Sequence, residues 1–320
     1  MRPIQIMKAL SDETRLRITG ILDGYSLSVN EITEVLGMGQ SRISRHLKIL
    51  ADAGILESRR DGVHIYYNIA QNRDDILEGI FSAFGLGSLT GKLNSENGKL
   101  IPVSNRLLQE EDLMKLAEVL EERKRVTLEH FQKYGDYEEK QESTWADPVF
   151  YRNKIKEMIP DKLVSSADIG CGSGELAGSI LDKVDKIILI DQSQNMLERA
   201  RFNIQSEKAD FRIGSLEHLP LREGEVDLAI FSMVLHHIPD VMGALEEASR
   251  VLRPGGRLIV AELIKHSFEE MRERFADFYL GFDASVLESY LKQNGFTVDS
   301  KSTGKGQGKL ECVFYAAIKN

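Results

Sequence analysis

Residues 168–176 read DIGCGSGEL. Glycines at 170, 172 and 174 let the backbone turn tightly and approach a ligand closely. The loop follows the strand pattern LVSSADIG and opens a helix, whose first N–H groups attract an anion. From residue 163 onward, further strand patterns alternate with helical ones: KIILID (186–191), ADFRIG (209–214), VDLAIFSMV (226–234) and GRLIVAEL (256–263). That alternation predicts an α/β fold, a mostly parallel sheet with helices on both faces. FTVDSK and KLECVFYAAIK flank STGKGQG and predict a closing antiparallel hairpin.

Two ligand classes use such a glycine loop. A dinucleotide fold wants G-x-G-x-x-G/A, with the third small residue packing helix on strand. Counted from Gly170, that position is Glu175, and the pattern is instead D-x-G-x-G-x-G. A glutamate there repels a pyrophosphate, whereas an amino-acid moiety brings an ammonium along with its carboxylate. Asp191, ending KIILID, is spaced to accept both hydroxyls of an unphosphorylated ribose. It can also cap the following helix, SQNMLERA, and the two roles are compatible.

Over about 145–320 the chain resembles the class I S-adenosylmethionine-dependent methyltransferases, a Rossmann-like family. The resemblance rests on ADIGCGSGEL, IDQSQNML, GSLEHLPL, DLAIFSMVLHHIPD and SRVLRPGGRLIVAEL. It implies that Asp168, Gly170, Gly172 and Gly174 contact the methionine part of the ligand and that Asp191 holds the ribose. It further implies that Gln192 and Met196 border the adenine, that Ser215 and Leu216 meet the adenine edge, and that Phe231 lies near the sulfur. Ser215 departs from the family, which usually has Asp there.

The first 84 residues carry a different pattern. Residues 3–22 read as helix, with Ser11 and Asp12 as a cap and Leu16, Ile18, Ile21 and Leu22 as core candidates. In SVNEITEVLG, Ser28 and Glu31 are spaced as a capping box and Gly37 is a stop. In QSRISRHLKILADAGIL, Ile43, Leu47 and Leu50 make one apolar face, opposite Ser41, Arg42, Arg45 and Lys48, with Gly54 as terminator. ILESRRDGVHIYYNI then predicts a hairpin turning at Asp61-Gly62, with Arg59, Arg60 and His64 at its tip.

Helix, tight turn, helix and basic-tipped hairpin form a winged helix-turn-helix. Arg42, Arg45 and Lys48 suit phosphates or guanine edges, and Gln40, Ser41 and Ser44 suit bases or phosphates. This segment resembles the ArsR family of bacterial repressors, through ALSDETRLRI, QSRISRHLKILADAGIL and RRDGVHIYYNI. The resemblance implies a homodimer on a palindromic operator, with the first helix and a helix at 74–84 as the dimer contact. Many members sense metal through a Cys-x-Cys pair in the helix before the recognition helix. SVNEITEVLG has no cysteine, so that mode is excluded here.

Between the two parts, residues 85–105 are rich in Gly, Ser and Asn and predict a linker. A helix follows over about 106–135. Its heptad-like stripe (Leu113, Ala117, Leu120, Lys124, Thr127, Phe131, Tyr134) fits a coiled coil or a surface helix packed on one domain. The expected organisation is therefore 1–84 winged helix, 85–144 linker and long interdomain helix, and 145–320 methyltransferase-like domain.

Charge and cysteines agree with this division. Residues 1–70 hold nine Lys/Arg against eight Asp/Glu, and the remaining 250 hold 32 against 42. Only the N-terminal part is suited to a polyanion such as double-stranded DNA. Cys171 and Cys312 form no CxxC pair, so neither a disulfide framework nor a metal site is expected. No apolar run approaches the roughly 18 residues of a membrane span, and residues 1–20 carry no secretory pattern. A cytoplasmic protein is expected.

The fusion favours sensing: a DNA-binding regulator whose second domain binds S-adenosylhomocysteine or S-adenosylmethionine as effector. The alternative is a methyltransferase acting on a small molecule or protein, with an autoregulatory DNA-binding head. His236 and His237 are the only conspicuous base candidates, and LHHIPD is a pattern more typical of strand-end packing.

Overall fold

The computed structural model describes residues 3–23, 25–61, 64–70, 93–96, 99–102, 108–160, 163–268 and 270–320. Contacts divide the chain into two compact units, Met1–Lys124 and Arg125–Asn320.

In the first unit, the helix expected over 3–22 is two helices, α1 (Pro3–Leu10) and α2 (Glu13–Leu22). They break because Asp12 is extended and accepts from the Arg15 N–H at 3.1 Å, capping α2. Next come β1 (Leu27–Ser28), α3 (Val29–Leu36) and α4 (Gln40–Asp52). The capping box on α3 is complete: Ser28 Oγ accepts from Glu31 N–H at 3.3 Å, and Glu31 Oε2 accepts from Ser28 N–H at 2.7 Å. Gly37 ends α3 at φ +62°, and Gly54 follows α4 at φ +60°. Ile18, Ile21, Ile32, Ile43, Leu47 and Leu50 make a fully buried core.

The wing is β2 (Leu56–Asp61) paired antiparallel with β3 (His64–Ile69). Asp61 pairs with His64, so Asp61 is a strand residue and not the first turn residue. Residues 62 and 63 are outside the described residues. The alternation of side chains permits both registers; the observed one sets buried Leu56 opposite buried Ile69. The helix expected at 74–84 also lies outside the described residues. Within the expected linker, β4 (Leu93–Glu96) pairs antiparallel with β5 (Lys99–Pro102). Asn97-Gly98, which separates them in the sequence, is a strong hairpin signal.

The long helix α5 runs Glu110–Trp145, ten residues beyond the expected end. Leu113, Leu116 and Leu120 join the core of the first unit, so this part of the stripe is packed within one unit. Two ion pairs fasten it there. Arg17 grips buried Asp112 with two hydrogen bonds, 2.8 and 2.5 Å, and Arg123 donates to Glu31 at 2.6 Å. The boundary between units falls inside this helix, at Lys124/Arg125.

The second unit is an α/β fold. After α6 (Pro148–Met158) the chain alternates β6 (Leu163–Ile169), α7 (Glu175–Ile180), β7 (Val184–Asp191), α8 (Gln194–Asn203), β8 (Ala209–Ile213) and β9 (Val226–Ser232). It continues through α9 (Val241–Val251), β10 (Leu252–Leu263), α10 (Glu270–Phe275), α11 (Ala284–Gln293), β11 (Phe296–Gly304) and β12 (Cys312–Lys319). Among the described residues these strands form one sheet, ordered β11-β12-β10-β9-β6-β7-β8. β6 to β10 are parallel, and β12 runs antiparallel between β10 and β11. Ile187–Ile190 are buried without alternation, as a strand covered on both faces requires. The chain order reverses between β6 and β9, and ligands of open α/β sheets bind at such a switch point, beyond the carboxyl ends of the strands. Among the described residues no helix is long and apolar enough to cross a membrane.

Candidate functional site

A cavity opens at that switch point, built from the ends of three strands. β6 brings Asp168, Gly170 and Gly172; β7 brings Asp191; β9 leads into Ser232, Met233 and Val234. Gln192, Met196 and Leu216 line it too, with Tyr151 and Arg152 from α6 and with His237. Ser215, Phe231 and Gly174 are absent from its lining. Phe231 is fully buried in the core, and the Ser215 backbone forms a bridge with His218. Gly174 sits at φ +81°, and a Cβ there would lie 2.8 Å from Ile204. Its smallness therefore serves the packing of α7 against α8 and β7. Gly170, at φ +73°, faces Val234 within 2.3 Å of a built Cβ, whereas Gly172 at φ +53° has open space beside it.

The two aspartates differ. Asp191 holds the loop in shape, accepting from Gly172 N–H at 3.0 Å and from Ser193 N–H at 2.8 Å. Ser193 is the residue that caps α8, accepting from Met196 N–H at 3.4 Å. Each carboxylate oxygen retains acceptor capacity beyond these bonds. Burial pushes Asp191 above the ordinary carboxylate range, against the hydrogen bonds from Ser193, Gly172 and Gln192. Asp168 is fully buried, and its Oδ2 has no hydrogen-bond partner. Burial first, then repulsion from Asp191, push it up to about 7, while Arg152 and the backbone at Ala177 act the other way. An ammonium placed in the cavity would meet this carboxyl group directly. Cys171, between the glycines, has its thiol pushed well above its usual value by burial and by both aspartates, so it is inert as a thiolate.

Glu175 behaves otherwise than the sequence argument assumed. It is exposed and pairs with Arg152, so its repulsion of a phosphate is largely offset. Arg152 comes from α6, and no spacing rule links it to the loop. Tyr151 and Arg152 are site residues that the sequence reading missed.

His236 and His237 form a 3₁₀ turn after β9 and are both buried. His236 Nδ1 meets Glu262 Oε2 at 2.7 Å, and Glu262 Oε1 also accepts from the N–H groups of Val234 and Leu235. Burial holds His237 well below the usual histidine value, with His236 adding to the effect. Burial thus favours the neutral ring of His237, and Glu262 fixes the orientation of the His236 ring.

In the first unit, Gln40, Ser41, Arg42, Ser44, Arg45 and Lys48 are all exposed along α4, opposite its buried stripe. Arg60 is exposed and Arg59 half-buried on β2, and His64 begins β3.

Residues 12–58 match the family model "Bacterial regulatory protein, arsR family", and residues 167–260 match "Methyltransferase domain". A protein of transposon TN4556 from Streptomyces fradiae is 42% identical over 102 residues, 31% of this chain and 30% of that protein. The demethylmenaquinone methyltransferase of Lactococcus lactis subsp. lactis is 33% identical over 163 residues, 48% of this chain and 65% of that enzyme. The arsenite methyltransferase of Halobacterium salinarum is 30% identical over 114 residues, 34% of this chain and 29% of that enzyme. The chain thus spans less than two thirds of each of these relatives. Among solved structures, a chain of the complex between the Haloferax volcanii Trm112 methyltransferase activator and a methyltransferase shares the fold. It has a TM-score of 0.53 and 15% identity, over 60% of this chain and 96% of that one.

Proposed function

We propose that this chain, an arsR-family DNA-binding segment ahead of a methyltransferase domain, is a transcriptional regulator. Its second unit binds S-adenosylhomocysteine or S-adenosylmethionine as effector, and it acts as a repressor. The observation that carries the proposal is a cavity holding the buried, unpartnered Asp168 Oδ2 and the strand-end Asp191, on one chain with the exposed basic face of α4. Asp168 is aimed at the ammonium, Asp191 at the ribose, and Gln192, Met196 and Leu216 at the adenine. All five side chains line the cavity.

The head supports DNA binding through the exposed basic face of α4 and the Arg60-bearing wing. Homodimerisation finds support in α1, where Ile4 is 55% and Met7 52% exposed. The natural transmitter is α5. Its first part is tied to the head by Asp112 and Arg123, and further on its His130 contributes to the electrostatic environment of His237. The ligand must favour one arrangement of this element, because equal affinity for both shifts nothing.

A second reading, methyl transfer to a small molecule or protein, is favoured by the methyltransferases among the relatives. One experiment separates the two. Gel shifts with genomic upstream duplexes are run with each adenosyl compound, alongside labelled methyl transfer to cell extract. Release of DNA without labelled product supports the regulator; labelled product with DNA binding indifferent to both compounds supports the enzyme.

A further inference from the structure

We infer that His236, His237 and Asp277 form a binding site for a divalent transition-metal ion beside the adenosyl cavity. All three side chains are buried, and their candidate ligand atoms lie within 4.8 Å of one another. His237 Nδ1 is 3.5 Å and His236 Nε2 3.9 Å from Asp277 Oδ1. Both distances exceed a normal hydrogen bond of about 2.7–3.2 Å. The shorter matches the ligand–ligand edge of a tetrahedral site, about 3.3–3.5 Å for bonds of about 2.0–2.1 Å, and the longer exceeds it by about 0.4 Å. An ion drawn into the middle would pull the three groups inward.

The surroundings are organised for that task. His236 directs Nδ1 to Glu262 at 2.7 Å, which leaves Nε2 as the nitrogen facing Asp277. A carboxylate behind a metal-bound imidazole sets its tautomer and raises its basicity. The segment carrying Asp277 is pinned to the same histidine: Phe278 and Tyr279 N–H both donate to the His236 carbonyl, at 2.8 and 2.9 Å. Ala276, just before Asp277, takes φ +55°, and Met233, at the end of β9, takes φ +53°. These are the two non-glycine residues with positive φ among those described, one shortly before His236 and one immediately before Asp277 in the chain. Such strain persists where the surroundings enforce it, commonly at functional sites. Two imidazoles and one carboxylate suit zinc or iron(II), and a three-ligand set leaves a position for an exchangeable ligand. His237 also lines the cavity, so the site borders it. Asp277 is 40 residues from His237, so no short spacing motif betrays the site.

The inference stands apart from the adenosyl reading, and its test uses metal alone. The full chain, stripped with a chelator, is titrated with Co²⁺ and followed by visible absorption. One equivalent per chain should bind with the intense bands of four-coordinate cobalt, and Zn²⁺ should displace it. Asp277→Asn and His237→Gln should abolish the bands, and Glu262→Gln should weaken affinity about 10–100-fold. Circular dichroism checks that each variant is folded. Where one is not, ring ¹⁵N spectra of the wild-type chain decide: Zn²⁺ should shift two histidines together. No saturable binding, no paired histidine shift, or bands unchanged in folded Asp277→Asn overturns the inference.

Discussion

Asp168 is where the site's chemistry is most exposed to test. Its folded-state value, pushed up to about 7, lies above its ordinary one, so the folded chain favours the protonated form. That contribution to stability is present below the ordinary carboxylate value and is lost as pH rises through about 7. Asp168→Asn should therefore raise the thermal midpoint of the ligand-free chain at pH 8, with a smaller gain at pH 5. A gain independent of pH would show that Asp168 is already ionised. Asp191→Ala should weaken adenosyl binding measured by calorimetry, through the lost ribose acceptor and the released Gly172 loop, while DNA binding by the ligand-free chain is retained. Unchanged ligand affinity would remove Asp191 from the site. Both aspartates were legible in the sequence because they end strands at a fixed distance around a glycine loop. Arg152, Tyr151 and Asp277 were not, since helices remote in sequence or irregular segments deliver them, and nothing in their local spacing marks them.

Elements tell a similar story. The capping box on α3 and the apolar stripe of α4 were legible because caps and helical faces are decided within a few residues. The register of the wing was not. Two registers keep the same faces, and only the pairing of Leu56 with Ile69 across the sheet chooses between them. The extent of α5 was hidden because its later residues lack a continuous apolar stripe. Arg45→Ala, on the exposed face of α4, should cost about 1–3 kcal/mol of operator affinity if it reads a base. At matched salt, an unchanged dissociation constant would place Arg45 outside the interface. Asp112→Ala should destabilise the head strongly, by about 3 kcal/mol, because it strands Arg17 in a nearly buried setting. Urea unfolding with unchanged midpoint would mean that α5 is not anchored there.

In the whole molecule, the proposed regulation requires that the DNA-binding head and the adenosyl cavity on one chain be energetically coupled. Composition already separated the parts, since the slight positive balance of residues 1–70 contrasts with the acidic remainder. Coupling itself leaves no mark in a sequence, because it is a difference between two arrangements. The direct measurement is the dissociation constant of the full chain for a duplex selected for binding, by fluorescence anisotropy. It is taken without ligand and with saturating S-adenosylhomocysteine or S-adenosylmethionine, at one salt concentration. If the head and the cavity are coupled, at least one compound weakens DNA binding about 5–150-fold, and the duplex weakens binding of that compound by the same factor. An identical dissociation constant in all three conditions, with ligand demonstrably bound, would contradict it.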